Sequence, residues 1–408
     1  MEILILGNGF DLAHGLETTY TDFLRFVESF TNLINNPTIL NSGGLSNTEK
    51  PIYKYLDNLI FNKTKLCSEL KQLLIDNIWI EYFSSRKSYI NENWIDFESE
   101  ISKVIRSLDS DMIESNGNRR EITDEMYHLS NEFLREKYGK YTLEYQTASI
   151  CLNGTSKSIT FKEIRDRLQS DLYNLIRALE IYLSDYIEKK ELTRKVKEIE
   201  SLKPDHILSF NYTATYQNKY DGIYINKDKY DYIHGKTDVN HTLETNNMVL
   251  GIDEYLDNTR KANEIEFIHF KKYYQRILKE TGSKYLDWLS EIEKQNYNYD
   301  ERISELKEDK KRTRGMGNDG YLAKSNLEAV QKHPPIHNVY IFGHSLDVTD
   351  KDILKAFICC DHVHTTIYYH DDDTHARQIA NLVKVIGPDE LIKRTGGPSK
   401  TIDFIKQQ

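Results

Sequence analysis

Cysteine is scarce in this 408-residue chain, where Cys67, Cys151, Cys359 and Cys360 make up the full set. Their spacing suits neither a disulfide framework nor paired C-x-x-C zinc ligands. The vicinal pair Cys359-Cys360 follows an apolar stretch and reads as two buried thiols in a reducing compartment. Proline is also scarce, at seven residues, which excludes long Pro-rich linkers. No apolar run reaches the roughly 18 residues of a membrane span. The N-terminus has no basic region followed by a signal-peptide core, and Ile3 to Leu6 is too short for one. A cytoplasmic protein without membrane engagement is expected. Positive charge is in deficit, with a formal net charge of −10, which argues against a broad electrostatic grip on nucleic acid. A repeat of solenoid period is absent as well.

What is present fits a soluble globular protein with long solvated helices: 39% hydrophobic and 29% charged residues. The length suits two domains, or one with large insertions. Twenty-eight tyrosines and fifteen phenylalanines suggest aromatic-rich helix packing.

The first sixteen residues are the most informative. Ile3-Leu4-Ile5-Leu6 is an apolar run of strand length that passes straight into Gly7-Asn8-Gly9-Phe10-Asp11-Leu12-Ala13-His14-Gly15-Leu16. This reads as a buried strand ending in a tight turn. A helix after such a turn offers free N–H groups and a positive dipole end to an anion such as phosphate. Glycines at 7 and 9 would let backbone approach a pyrophosphate. The spacing G-x-G-x5-G departs from the G-x-G-x-x-G dinucleotide fingerprint, and the Lys-Ser/Thr of a P-loop is missing. A nucleotide site of a less common type is expected.

Texture changes along the chain. Thr18 to Phe30 reads as a helix with Thr18 or Thr19 as N-cap, and residues 31–50 as a loop. From about 51 to 203 the pattern is helical, as in Leu66 to Phe83, Ile122 to Lys137 and Ile164 to Leu202, with room for a hairpin near Tyr141 to Cys151. Strands are expected at Asp205 to Asn211, Tyr230 to His234, Met248 to Gly251, Val339 to Gly343 and His364 to His370. Helices at Lys351 to Cys360 and His375 to Val383 alternate with them, as in a parallel α/β sheet. Residues 1–30 and 204–408 are therefore expected to form one discontinuous nucleotide-binding domain, interrupted by a mainly helical insertion over 31–203. A charged helical stretch at 262–314 reads as a solvated insertion within it.

In open parallel sheets ligands gather beyond the strand carboxyl ends, and four polar clusters fall there. They are the glycine turn with Asn8 and Asp11, then Asn211-Tyr212-Thr213, then His234-Gly235, then Gly343-His344-Ser345-Leu346-Asp347 followed by Asp350. Each alone has an ordinary explanation: a helix N-cap, a polar turn, or a left-handed turn with a capping serine.

Together they resemble the AbiH-type phage abortive-infection family. The resemblance rests on Gly7 to Leu12, Gly15-Leu16-x-Thr18-x-Tyr20-x-Asp22-Phe23-Leu24, Trp94 to Glu98, Phe210 to Thr213 and Phe342-Gly343-His344-Ser345-Leu346-x-x-x-Asp350. More distantly the pattern is similar to the sirtuin-like fold, which implies a Rossmann-type parallel sheet with large α-helical insertions. By that resemblance Gly7 and Gly9 meet a pyrophosphate, Asn211 a nicotinamide ribose, His234 is the catalytic base, and Gly343 and Ser345 contact the cofactor. Asn8, Phe10, Gly15, Thr213, His344 and Asp347 complete the expected cofactor-binding set. The cysteines cannot build the four-thiolate zinc ribbon of a peptide deacylase. The implied reaction is instead hydrolysis of NAD to nicotinamide and ADP-ribose, with NAD as substrate and no tightly bound cofactor or metal. Asp11 is expected to stabilise developing positive charge or hold an adjacent loop.

Two other readings carry different expectations: a non-catalytic NAD- or nucleotide-binding sensor, and a metal-dependent nuclease. For the latter, His362, His364, His370, Asp371 to Asp373 and His375 offer ligands, although aspartates at a helix start are also ordinary caps. A phage trigger, a partner protein and self-association are left open.

Overall fold

Ile3-Leu4-Ile5-Leu6 forms strand β1 (Glu2–Leu6), in which all four residues are buried. The continuous apolar run is what a strand covered on both faces requires. Ile3 and Ile5 pack on one side with Trp288, Phe357 and Leu382, whereas Leu4 and Leu6 pack on the other with Phe10, Ile207 and Tyr216. The computed structural model describes residues 1–41, 45–86, 96–114, 117–121, 126–143, 159–192, 194–221, 226–398 and 400–407. They divide into a sheet unit (Met1–Leu16, Glu191–His234, Thr281–Gln408) and a helical unit (Glu17–Lys190, Gly235–Glu280).

In the sheet unit β1 is joined by β2 (His206–Ser209), β3 (Tyr230–Tyr232), β4 (His337–Phe342), β5 (Val363–Tyr369) and β6 (Ile402–Lys406). Every pairing is parallel, and the order across the sheet is β3-β2-β1-β4-β5-β6. This is the doubly wound order of a mixed α/β domain, whose switch point lies between β1 and β4. Helices Tyr285–Arg312, Lys351–Ile358 and Asp372–Ile386 cover one face, and Gly9–Ala13, Lys197–Glu200 and Thr215–Lys219 the other.

The helical unit begins with Tyr20–Asn35, which Thr19 and Asp22 start through a reciprocal capping box. Its long helix Phe161–Ile181 starts the same way on Thr160 and Glu163. A small sheet is formed by Tyr127–His128, Lys140–Thr142 and Ile159–Thr160; Tyr127–His128 stands where helix was expected, and Lys140–Thr142 falls at the start of the expected hairpin. The rest of the expected hairpin, residues 144–151, lies outside the described residues.

Three boundaries differ from expectation. Residues 17–30 and 235–280 belong to the helical unit rather than with the sheet, and residues 191–203, expected in the insertion, belong to the sheet unit. For 235–280 the cause is polar. Glu180, on the long helix, accepts from the Asp238 backbone N–H at 3.1 Å, pairs with His241 at 2.6 Å and accepts from the Asn246 side chain. Met248 to Gly251 is buried but is not a sheet strand. The Gln275 side-chain amide bonds both the N–H and the carbonyl of Leu250, each at 3.0 Å, supplying what a neighbouring strand would. Among the described residues, no helix is long and apolar enough to cross a membrane.

Candidate functional site

The loops leaving β1 and β4 meet backbone to backbone at the switch point. Gly7 N–H donates to the Phe342 carbonyl at 3.0 Å and Gly9 N–H to the Gly343 carbonyl at 2.8 Å. A Cβ on Gly9 would lie 2.7 Å from Gly343 Cα, and one on Gly343 would lie 2.2 Å from Phe10 N. Gly343 also sits at φ +68, in the left-handed region. The glycines are thus explained by each other. Gly9 N–H, expected to face phosphate, is engaged by Gly343, and Phe10 N–H by Gly7 O at 2.9 Å. The following helix is only the five residues Gly9–Ala13, too short for a substantial dipole. Phe10, expected to contact a cofactor, is instead a fully buried core ring that meets Phe342 edge-on at 5.9 Å.

His14 locks this loop. Its Nδ1 lies 2.7 Å from the Phe10 carbonyl, so that nitrogen donates, and Nε2 then accepts from the Tyr220 hydroxyl at 2.8 Å. Burial lowers its pKa, consistent with a neutral ring. Gly15, at φ +77, turns the chain after the short helix with nothing within 4 Å of a Cβ position.

Asn211, just past β2, donates its side-chain amide to Gly7 O at 3.0 Å. Its Oδ1 is buried without a partner. Asp11 is in the same condition: Oδ2 accepts from Thr213 at 2.5 Å, while Oδ1 has no partner. Burial pushes its carboxyl up to about 6, against the opposing hydrogen bonds from Thr213 and Thr215. Asp11, Asn211, Thr213 and Ser209 line one small cavity of about 10 Å³, the room a single water needs.

The chemically richest group is a carboxylate between two imidazoles. Asp350 places Oδ1 3.8 Å from His234 Nε2 and Oδ2 3.4 Å from His344 Nε2. His344 Nδ1 accepts from the Leu346 N–H at 2.9 Å, which leaves its proton on Nε2, facing Asp350. Leu346 adopts φ +58 with its side chain fully buried, a strained conformation held by packing. The Phe210 ring lies 5.7 Å from His234 and 4.4 Å from His344. Gln378 fixes the loop from behind by donating to His344 O at 3.1 Å and Tyr368 O at 3.3 Å.

The structure therefore brings Gly7, Gly9, Asp11, Asn211, Thr213, His234, Gly343 and His344 to adjoining strand ends of one unit. Asn8 and Ser345 are exposed at the loop tips. Asp347 caps the turn Val348–Asp350 by accepting from Thr349 N–H at 3.1 Å. Asp350 stood in the sequence motif but outside the expected site, and Gln378 was missed. A glutamine that acts through backbone carbonyls leaves no local signature.

Several of the metal-ligand candidates are otherwise engaged. His364 pairs with Asp403 at 3.1 Å, His370 with Asp371 at 2.9 Å, and His375 stacks on Tyr369. Asp371 caps helix Asp372–Ile386 through the Thr374 N–H. Asp96 likewise caps Phe97–Asp111, and Glu98 pairs with Lys272 at 2.6 Å. Trp94 and Cys151 lie outside the described residues. Cys359 and Cys360 are half-buried free thiols with pKa values raised by burial.

Compared with known proteins, the chain matches over residues 3–369 the family described as bacteriophage abortive infection AbiH. No curated protein and no solved structure matches it.

Proposed function

The chain belongs to the AbiH family of bacteriophage abortive-infection proteins, and from that premise we propose that its strand-end site hydrolyses NAD, or a closely related nucleotide, at the nicotinamide–ribose bond. The observations that carry this reading are the His234–Asp350 pair and, one strand over, Asn211 held on Gly7, all at the carboxyl ends of adjoining strands of one parallel sheet. In the proposed reaction the bond between C1′ and the nicotinamide nitrogen breaks, and nicotinamide leaves neutral. Water then bonds C1′ of an oxocarbenium-like ribose, and His234 takes the water's proton as general base. Asp350 stabilises the imidazolium that forms, as a carboxylate does behind a catalytic histidine. Asn211, held by Gly7 and with a spare buried acceptor, orients a ribose hydroxyl or the water. Asp11 serves as a brace for Thr213 and, through it, for the Asn211 loop. Asn8 and Ser345, exposed on the two loop tips, are the side chains offered to a pyrophosphate. A likeness to sirtuin-like NAD sites belongs to this same proposal, as does enzymatic activity itself.

The test is incubation of the purified protein with NAD, following nicotinamide and ADP-ribose. His234→Ala is expected to lower nicotinamide release by about 100-fold or more, the usual contribution of a positioned base. Asn211→Ala is expected to abolish most turnover with it. NAD that binds without being consumed would favour a sensor, and loss of activity with a chelator would favour the metal-dependent nuclease.

A further inference from the structure

The helical unit holds a second, larger cavity of about 630 Å³, within the range of small-molecule sites. Tyr173 and Ile176 line it from the long helix Phe161–Ile181, and Leu243, Glu244, Leu278 and Lys279 line it from the 235–280 segment. Two of its apolar walls are solvent-exposed, Leu243 at 43% and Leu278 at 61%. Exposed leucines beside a cavity offer apolar surface to a ligand.

Lys279 supplies the polar feature. It follows helix Lys272–Leu278, and its ammonium donates to the Met248 carbonyl and, at 3.4 Å, to Asn246 Oδ1. Both acceptors are neutral, and Lys279 enters no ion pair among the described residues. The Tyr173 ring lies 6.0 Å away, at the edge of cation–π range. Burial pushes the amine down to about 8, against an opposing pull from Glu180. That carboxylate is committed elsewhere, to Arg177 at 2.7 Å and His241 at 2.6 Å. Lys279 is partly buried, and a cation so placed and hydrogen-bonded only to neutral oxygens is incompletely compensated, since charges taken out of water are ordinarily paired. A negative group would complement it. Glu244, on the same lining, rejects a second negative group.

We propose that this cavity binds a small organic monoanion, with its carboxylate or sulfonate on Lys279 and an apolar or aromatic body against Tyr173, Ile176, Leu243 and Leu278. The site is formed within the helical unit and does not depend on the reading of the strand-end site.

Two fluorescent probes that differ by one anionic group test it on the full chain: 1-anilinonaphthalene-8-sulfonate and the uncharged N-phenyl-1-naphthylamine. The sulfonate is expected to bind one saturable site. Lys279→Met should weaken it by roughly tenfold, the size of a lost charge-assisted contact, and leave the neutral probe within about twofold. Glu244→Gln should tighten the sulfonate, and Leu243→Trp, which fills the cavity, should weaken both probes. Circular dichroism checks folding; if Lys279→Met does not fold, the two substitutions at exposed positions 244 and 243 decide. The proposal is overturned if binding is not saturable, if the two probes respond alike to Lys279→Met, or if Glu244→Gln and Leu243→Trp change nothing.

Discussion

In the helical unit, buried Glu100, Asp109, Asp171, Glu180 and Asp185 each meet a lysine or arginine, and buried Asp111 accepts the Ser130 N–H. In the sheet unit, Asp11 is as deeply buried yet meets only threonine hydroxyls, and one of its oxygens has no partner. Both arrangements cost desolvation, but only the first is compensated by opposite charge. Completed pairs fasten helices and loops to one another. Asp11, in the short helix after β1 and lining one small cavity with Asn211, is left with an oxygen that no protein group completes.

The comparison can be broken from the helical side first. Arg177 is almost fully buried and bonds Glu180, Glu69 and the carbonyls of Asp238 and Val239. Arg177→Met leaves Glu180 a buried charge with its main partner gone, and should cost about 3–5 kcal/mol in denaturant unfolding. A loss below about 1 kcal/mol would mean that the network is not what holds 235–280 in place.

On the sheet side the expected sign is opposite. Asp11 keeps its proton to about pH 6 when folded, but to only about 3.9 when unfolded. Its contribution is therefore full below about pH 4 and is lost as pH rises through about 6, amounting to about 3 kcal/mol. Asp11→Asn, which keeps an acceptor for Thr213, should gain that much relative to the wild type between pH 4 and pH 7. Denaturation at both pH values measures it, and parallel curves would contradict it.

Gly9→Ala probes the contact between the two loops. The added Cβ would meet Gly343 backbone, which has no flexible end to move, so about 1–3 kcal/mol and most turnover should be lost. The smallest expected effect is Thr160→Ala, which removes the capping box of helix Phe161–Ile181. It should cost about 1 kcal/mol in thermal unfolding and leave turnover unchanged.

The sheet was legible because apolar runs such as Ile3 to Leu6 and Ile207-Leu208 stop at polar clusters, with helical segments between the later strands. Five of its six strands stand within a residue or two of their expected positions. The sixth, Ile402–Lys406, carries the half-polar pattern of an edge and gave no such run. Met248 to Gly251 misled for the converse reason, since Gln275 lets an apolar extended segment be buried away from the sheet. At the site, Asn211, His234 and His344 stood out because each follows a strand. The use of Gly7 and Gly9 did not, because it depends on Gly343, more than 300 residues along the chain. Asp350 acquires its meaning only when the fold sets it between two histidines.

Intracellular NAD, followed after phage infection in cells carrying the wild-type protein or His234→Ala, tests the central claim most directly. The expected result is a fall in NAD together with protection of the population in the wild type, and neither in the variant. Protection by His234→Ala with NAD undiminished would contradict it.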